Sequence, residues 1–261
     1  MNKKHITIKE ISKSFERASG NLKRKLPVIT NFSLEISKGE IVALFGPNGC
    51  GKSTLLNIIA GIEKPDSGEI DNISVMPNEK NSIGYAFQQY ENSLFPWLKV
   101  IDNIALKYEI EGVPKELRRE KALSFAKKFG ILLPWNSYPY QLSGGQKQMV
   151  ALLRSLVYRP ELCILDEPIS ALDYQNALDI MVKISTDWVS DNITALVVSH
   201  DIEQAIFLAD KVIILTNRPM SVKAIFNIPF KRPRTLDILE KSEFLDIRTK
   251  ALKAFIQEIS T

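Results

Sequence analysis

Residues 46–53 read Gly46-Pro47-Asn48-Gly49-Cys50-Gly51-Lys52-Ser53, which is the spacing of a phosphate loop: a glycine, four residues, then Gly-Lys-Ser. The glycines let the backbone turn sharply and leave no Cβ between the main chain and a phosphate. The lysine offers a cation to the terminal phosphates, and the serine hydroxyl is a suitable ligand for Mg²⁺. The stretch therefore predicts a site for a nucleoside triphosphate, but it does not indicate which reaction follows.

The segments on both sides of this loop have the pattern that the motif requires. An apolar run at residues 41–45 precedes it, as expected of a buried parallel strand. A helix is predicted from Ser53 onward, with its positive N-terminal end facing the same phosphates. A glycine-rich turn that merely joins a strand to a helix is the alternative, which the combined pattern disfavours. The predicted nucleotide contacts of the loop are Gly46, Pro47, Asn48, Gly49, Cys50, Gly51, Lys52, Ser53 and Thr54.

The composition is that of a folded chain without a membrane span. Of 261 residues, 45% are hydrophobic and 25% are charged, and a net charge of +4 is too small to indicate nucleic acid as a partner. The two cysteines indicate neither a disulfide framework nor a metal cluster, so a reducing cytosol is expected. We find no signal-peptide core and no apolar run near the ~20 residues that cross a bilayer.

The predicted elements alternate as in a parallel α/β sheet. Strands are predicted at residues 83–87, 162–165, 194–198 and 212–215, and helices at 174–188, 202–208 and 241–259. Ahead of the phosphate loop, the alternation at 6–8 and 32–36 predicts antiparallel strands joined by a polar hairpin turn at 16–25. From about residue 97 to 157 the pattern is helical, and 116–128 is predicted as an amphipathic helix with apolar positions at Leu117, Leu123 and Phe125.

Two adjacent carboxylates, Asp166 and Glu167, end one of the apolar strands. Ligands bind at this carboxyl edge of a parallel sheet. Asp166 is suited to hold Mg²⁺ through its water shell, and Glu167 would point elsewhere and polarise an attacking water. A solvated acidic pair is the alternative, but the phosphate loop in the same sheet disfavours it.

A second glycine turn, the signature segment, reads Leu142-Ser143-Gly144-Gly145-Gln146 and opens a long predicted helix. A serine and two glycines at a helix start form an anion-binding turn. The alternative is that Ser143 is a plain N-cap without a ligand.

Taken in order, these motifs resemble those of ATP-binding cassette ATPases over nearly the whole chain. The resemblance rests on Phe15, residues 46–54, Gln88, residues 142–146, 165–168 and 170–173, and His200. It implies an α/β fold: a phosphate-loop NTPase core with a parallel sheet, an N-terminal antiparallel β-layer and an inserted helical subdomain. The implied division is a core at 1–89 and 157–220, a helical subdomain at 90–156 and a C-terminal extension at 221–261.

The resemblance also implies roles for single residues. Phe15 would stack on the adenine, unless it is an ordinary core aromatic. Gln88, rather than the adjacent Gln89, would reach Mg²⁺ and the attacking water, His200 would contact the γ-phosphate, and Asp173 would lie at a dimer seam. The implied catalytic residues are Glu167, His200 and Gln88, and the implied metal-binding residues are Ser53, Gln88 and Asp166.

Outside the catalytic motifs, residues 93–98, 207–211, 218–219 and 232–234 and the closing helix are most similar to the nitrate, sulfonate and taurine importer group. Lys147 and Leu152-Leu153 depart from that group's pattern. The importer resemblance implies a homodimer, in which two copies are arranged head to tail over the ATP that they hydrolyse. The site of one copy would be completed by residues of the other: Ser143, Gly144, Gly145 and Gln146.

The same resemblance implies further partners: membrane-spanning permease subunits at the Gln88 loop and an extracytoplasmic solute-binding protein. The chain would lie peripherally on the cytoplasmic face of the cell membrane. The main alternative is a soluble cassette ATPase of DNA repair, translation or cluster assembly; the sequence has neither a second cassette nor a long coiled-coil insertion. A nucleotide-binding scaffold without turnover is disfavoured by Glu167 and His200. The sequence does not specify the solute.

Overall fold

The computed structural model describes residues 4–19, 22–71, 83–191 and 193–259 of the chain. In order, its strands are β1 Lys4–Ser19, β2 Leu22–Ser37, β3 Ile41–Phe45, β4 Ser67–Asp71, β5 Ile83–Ala86, β6 Leu162–Asp166, β7 Thr194–Val198, β8 Lys211–Leu215 and β9 Val222–Asn227. Its α-helices are α1 Lys52–Ile59, α2 Tyr90–Ser93, α3 Val100–Ile104, α4 Leu106–Ile110, α5 Lys115–Lys128, α6 Gly144–Leu156, α7 Tyr174–Asp191, α8 Ile202–Leu208 and α9 Ser242–Ile259. The predicted fold class is confirmed: an α/β core with an antiparallel N-terminal layer and helices inserted between β5 and β6.

The N-terminal layer is a three-stranded sheet in the order β2-β1-β4, and its pairings are antiparallel. The hairpin turn predicted at 16–25 is wrong in extent, because β1 continues to Ser19 and β2 begins at Leu22. The paired register continues through this segment, with Glu16 opposite Lys25 and Ser19 opposite Leu22. Residues 20 and 21 lie outside the described part of the chain. Strand β4 was not predicted.

The central sheet has six strands in the order β5-β6-β7-β3-β8-β9. Its pairings are parallel except for that of β8 with β9. Every residue of β3, β6 and β7 is buried, which explains their near-continuous apolar sequences. Because these three strands are neighbours and parallel, the segments that follow them meet at one edge of the sheet. Those segments are the phosphate loop, the Glu167 turn and the His200 turn.

Helix α5 forms close to its predicted bounds of 116–128. Of the apolar positions named for it, Leu123 and Phe125 pack partly buried against the core, whereas Leu117 is 44% exposed. Its fully buried positions are Ala122 and Ala126. The helix contacts α3.

A buried arginine that follows β9 links the C-terminal part of the chain to the end of α8. Arg234 has 1% of its surface exposed, and its Nη1 donates to the carbonyl oxygens of Ile206, Phe207 and Ala209 at 3.0, 2.6 and 2.9 Å. These carbonyls end α8, so the guanidinium caps that helix. Burial lowers the pKa of Arg234 to about 10, which leaves it charged at neutral pH. The C-terminal part of the chain thus holds the far end of the helix that begins just after His200.

No described helix combines the length and the apolar character needed to cross a membrane.

Candidate functional site

The phosphate loop folds as its glycines require. Gly49 and Gly51 have φ of +73° and +127°, conformations that side chains with a Cβ rarely adopt. A Cβ on Gly51 would also lie 2.8 Å from Cγ1 of Val28, so the N-terminal sheet packs directly against the loop. Lys52 Nζ donates to the carbonyl oxygens of Gly46 and Pro47 at 2.8 and 2.9 Å. These bonds hold the ammonium group within the loop, at the mouth of a cavity.

Ser53 and Asp166 form a pair of oxygen groups beside Lys52. The Ser53 hydroxyl donates to Asp166 Oδ2 at 2.8 Å, and Asp166 is 4% exposed. Burial raises the pKa of the Asp166 carboxyl, and the bond from Ser53 opposes that shift. Hard oxygen donors with few protein ligands suit Mg²⁺, which takes its remaining ligands from water and phosphate. Within the described ranges, no group of three or more His, Cys, Asp or Glu residues is placed to bind a metal ion by itself.

Glu167 lies in an uncommon backbone conformation. Its φ is +54°, a left-handed region that costs a residue other than glycine about 1–3 kcal/mol. The backbone is held there by a bond from Glu167 N to the Val198 carbonyl at 3.0 Å. Its carboxylate Oε2 lies 3.4 Å from His200 Nδ1, and the imidazole is more than half exposed. The turn thereby places this carboxylate beside the histidine.

The residues from these turns line one open cavity of about 530 Å³. Its lining residues are Asn48, Gly49, Gly51, Lys52, Ser53, Thr54, Gln88, Asp166, Glu167, His200 and Arg218. The cavity thus brings cationic and hydroxyl groups together with carboxylates and a histidine. This is an arrangement for binding a polyphosphate and activating a nucleophile beside it.

Several residues predicted to contact the nucleotide do not line this cavity. The loop residues Gly46 and Pro47 direct their carbonyl oxygens to Lys52, and Cys50 is buried, which raises the pKa of its thiol. Phe15 is 42% exposed on β1, with Lys13 Nζ 5.3 Å from its ring centroid. Phe15 is therefore no core aromatic, and adenine stacking remains a prediction.

The two adjacent glutamines have different surroundings. Gln88 lines the cavity, whereas Gln89 Oε1 accepts a hydrogen bond from Asn92 Nδ2 at 3.1 Å. Gln89 directly precedes α2, and Asn92 is a residue of that helix. The geometry favours Gln88 as the glutamine of the site.

Arg218 was not predicted as a site residue, only as a marker of the importer group. Its Nη2 lies 3.7 Å from where a Cβ on Gly49 would be, and it has no hydrogen bond or ion pair with another residue in the described part of the chain. Strand β8 pairs with β3, so the loop after β8 ends beside the phosphate loop. The sheet order, which the sequence alone does not give, is what places this arginine at the site.

The signature segment lies outside the cavity of the phosphate loop. Ser143 Oγ accepts from Gln146 N at 3.3 Å and Gln146 Oε1 accepts from Ser143 N at 3.0 Å, so Ser143 is indeed the N-cap of α6. Asp173 accepts from Asn176 N at 3.0 Å just before α7, and this bond lowers the pKa of the carboxyl. Residues 143–146 of the signature segment and Asp173 line a separate cavity of about 720 Å³. One chain therefore does not bring the signature segment to its own phosphate loop.

The family model described as ABC transporter matches residues 29–170. An uncharacterized ABC transporter ATP-binding protein of Methanocaldococcus jannaschii is 36% identical over 97% of this chain and 92% of its own length. The nitrate import ATP-binding protein of Synechococcus elongatus is 36% identical over 86% of this chain and 83% of its own length. The bicarbonate transport ATP-binding protein of the same organism is 36% identical over 95% of this chain. That relative is longer, and the match covers 37% of its length.

Among solved structures, a dimeric ATP-binding cassette in a post-hydrolysis state, bound to ADP and Pi, matches with a TM-score of 0.75. It is 31% identical to this chain and covers 86% of this chain and 99% of its own length. The predicted resemblance to cassette ATPases, including the nitrate import group, is confirmed.

Proposed function

Because the chain belongs to the ABC transporter family, we propose that it is the ATP-hydrolysing subunit of an importer for a small solute. The observation that carries this proposal is the 530 Å³ cavity, in which the phosphate loop faces Glu167 and His200. Nucleotide binding and dimeric assembly agree with the ADP-bound dimer that this chain resembles.

The phosphate chain of ATP is assigned to the loop and Lys52. Backbone N–H groups of the loop and the start of α1 would surround the β- and γ-phosphates, with the ammonium group close to the terminal oxygens. Arg218, across from Gly49 and without an ion-pair partner in the described ranges, would add a second cation to the same mouth. Ser53 and Asp166 would hold Mg²⁺, which when bound neutralises charge on phosphate oxygens.

Hydrolysis is assigned to Glu167 as general base. Its carboxylate would accept a proton from the water that attacks the γ-phosphate, a contribution of roughly 10²–10⁴-fold. His200, 3.4 Å from that carboxylate, would orient it and contact the γ-phosphate. Gln88, which lines the same cavity, would order the same water.

The second half of the site would come from another copy of the chain. The signature cavity, with its two glycines and helix start, has anion-binding character, yet it is separate from the phosphate loop of the same chain. A head-to-tail dimer would place each signature segment over the partner's ATP. Asp173, which lines the same cavity, would then lie at the seam.

Permease subunits would dock on the segment that follows Gln88. Asn103 is fully buried and bonds Phe95 N, Phe95 O and Leu98 O at 2.9, 3.0 and 3.1 Å, which fixes the loop between α2 and α3. Trp97 at the tip of that loop is 69% exposed, while Leu94 is buried. A rigid loop that exposes a large aromatic side chain fits an interaction surface, and here Trp97 would be its anchor.

Replacement of Trp97 by alanine should weaken transport without weakening catalysis. We expect Trp97→Ala to reduce binding to permease-containing membranes by about tenfold or more, the effect of losing one interface hot spot. The ATPase rate of the isolated chain should stay near wild-type. The matched control is Ile110→Ala, which removes an apolar side chain of similar exposure, 72%, from the helical insertion. Equal losses of binding, ATPase rate and melting temperature for Trp97→Ala would instead mean that Trp97 stabilises the fold.

The importer assignment itself is tested by fractionation of the cells. The proposed location is the cytoplasmic face of the membrane, held there by the permease, with an extracytoplasmic binding protein selecting the solute. Nitrate-, sulfonate- or taurine-type solutes are the first to assay in uptake. Recovery of the whole protein in the soluble fraction of cells that make the permease would favour the soluble cassette ATPase instead.

A further inference from the structure

The signature helix and the Glu167 turn are joined by one buried glutamine. Gln148 lies on α6, two residues after the signature segment, and is 3% exposed. Its Nε2 donates to the Glu167 carbonyl oxygen at 2.8 Å and contacts Ser170 Oγ at 3.2 Å. Its Oε1 accepts from Ala171 N at 2.9 Å. One amide group thus uses both its donor and its acceptor side on the segment from Glu167 to Ala171.

That segment is the one whose conformation sets the catalytic carboxylate. Glu167 has a φ of +54°, which the surroundings must hold in place. Ser170 adds two weaker bonds to the same Glu167 carbonyl, from its N at 3.4 Å and its Oγ at 3.2 Å. The shortest bond to that carbonyl, and the one that comes from another element, is that of Gln148. The bond from Glu167 N to the Val198 carbonyl would remain without this amide, but the carbonyl side of the turn would keep only the two weaker Ser170 bonds. The carboxylate would then be held less firmly beside His200.

Gln148 also connects two segments of the chain that would serve different ATP sites of the dimer. Under the proposed head-to-tail dimer, the signature segment of a chain covers the partner's ATP, whereas Glu167 of that chain serves its own ATP. The cavity beside the signature is lined by Ala171 and Leu172 as well, and a Cβ on Gly145 would lie 3.3 Å from the Ala171 carbonyl oxygen. Movement of the signature helix would therefore be transmitted directly to the Glu167 turn.

We propose that Gln148 is a positioning residue for hydrolysis: it fixes the Glu167 turn to the signature helix, so that closure over the partner's ATP aligns the carboxylate of its own site. This inference rests on the proposed function. Gln148 touches neither nucleotide nor water in this scheme, and it acts through the backbone of Glu167. The expected consequence of losing it is a slow chemical step with nearly normal ATP binding.

The test compares Gln148→Met, which keeps length and volume but removes both bonds, with Ser155→Ala on the same helix. Ser155 is equally buried at 3%, and its hydroxyl donates to Leu152 O within α6, away from the Glu167 turn. For Gln148→Met we expect kcat to fall about 10- to 100-fold, as for a misplaced catalytic group, with ATP affinity within about twofold of wild-type. Ser155→Ala should lower the melting temperature comparably but keep its kcat.

A double variant separates positioning from general damage. In a Glu167→Gln chain, Gln148→Met should slow single-turnover hydrolysis no further, because the group that it positions is already inactive. A wild-type kcat in Gln148→Met would overturn the inference. So would an equal loss of rate when Gln148→Met is introduced into the wild-type chain and into the Glu167→Gln chain. If Glu167→Gln itself leaves kcat unchanged, the proposed function fails first, so the two failures are distinguishable.

Discussion

Glu167→Gln should reduce ATP turnover by on the order of 10²-fold or more while MgATP binding stays near normal. The amide keeps the shape of the side chain but loses its basicity. Lys52, Ser53 and Asp166, which line the same cavity, are unchanged and would still hold MgATP. Binding without turnover should trap the closed state, so the variant should elute as a dimer with ATP. ATPase assays and size-exclusion chromatography with ATP measure both results.

The matched control is Glu120→Gln, which removes an exposed carboxylate from α5 in the helical insertion. It should keep wild-type turnover and should show no additional dimer. Persistent hydrolysis by Glu167→Gln, together with a monomer in the presence of ATP, would mean that Glu167 is not the base.

Lys52→Ala should lose both tight ATP binding and hydrolysis. Charge-assisted hydrogen bonds to phosphate contribute about 1.5–3 kcal/mol each. Loss of the Lys52 ammonium group therefore corresponds to about 10²-fold weaker ATP binding. Lys52 is 8% exposed and also bonds two loop carbonyls, so a melting curve must accompany the affinity measurement. Calorimetric titration with MgATP and steady-state ATPase assays give the two values.

Arg218→Met is the comparison variant for Lys52→Ala, because it removes a different positive charge from the same cavity. Arg218 is exposed and lies across from Gly49 rather than inside the loop, so solvent screens its effect. Its loss should weaken ATP binding by a smaller factor than the loss of Lys52. Wild-type affinity and turnover in Lys52→Ala would contradict the assignment of the phosphate loop.

The catalytic half of the site was predictable because its motifs are local in sequence and fall at ends of buried strands. The runs at 41–45, 162–166 and 194–198 are continuous and apolar, which identifies central parallel strands and puts their C-terminal turns together. Strand β4 carries one apolar residue in Ser-Gly-Glu-Ile-Asp and lies at an edge, so hydrophobic periodicity does not reveal it. Strand β9, which was not predicted either, alternates in burial, with Val222, Ala224 and Phe226 turned inward, but the exposed Ile225 interrupts the alternation in its sequence.

The residues that sequence patterns missed act through long-range packing. Arg218 reaches the cavity because β8 is the neighbour of β3, and Gln148 reaches Glu167 because α6 packs beside the end of β6. Neither relation is encoded in a local motif. The domain boundaries remain predictions, as do the roles of the single site residues, and the substitutions test those roles.

The composite site is tested most directly by mixing two disabled chains, Ser143→Arg and Lys52→Ala, each also carrying Glu167→Gln so that bound ATP persists. In a mixed head-to-tail dimer both lesions fall on one site, and the other site keeps an intact phosphate loop and an intact signature segment. Light scattering after size exclusion with MgATP should show monomers for each chain alone and a dimer in the mixture. If both chains are folded and the mixture stays monomeric, the head-to-tail account is contradicted.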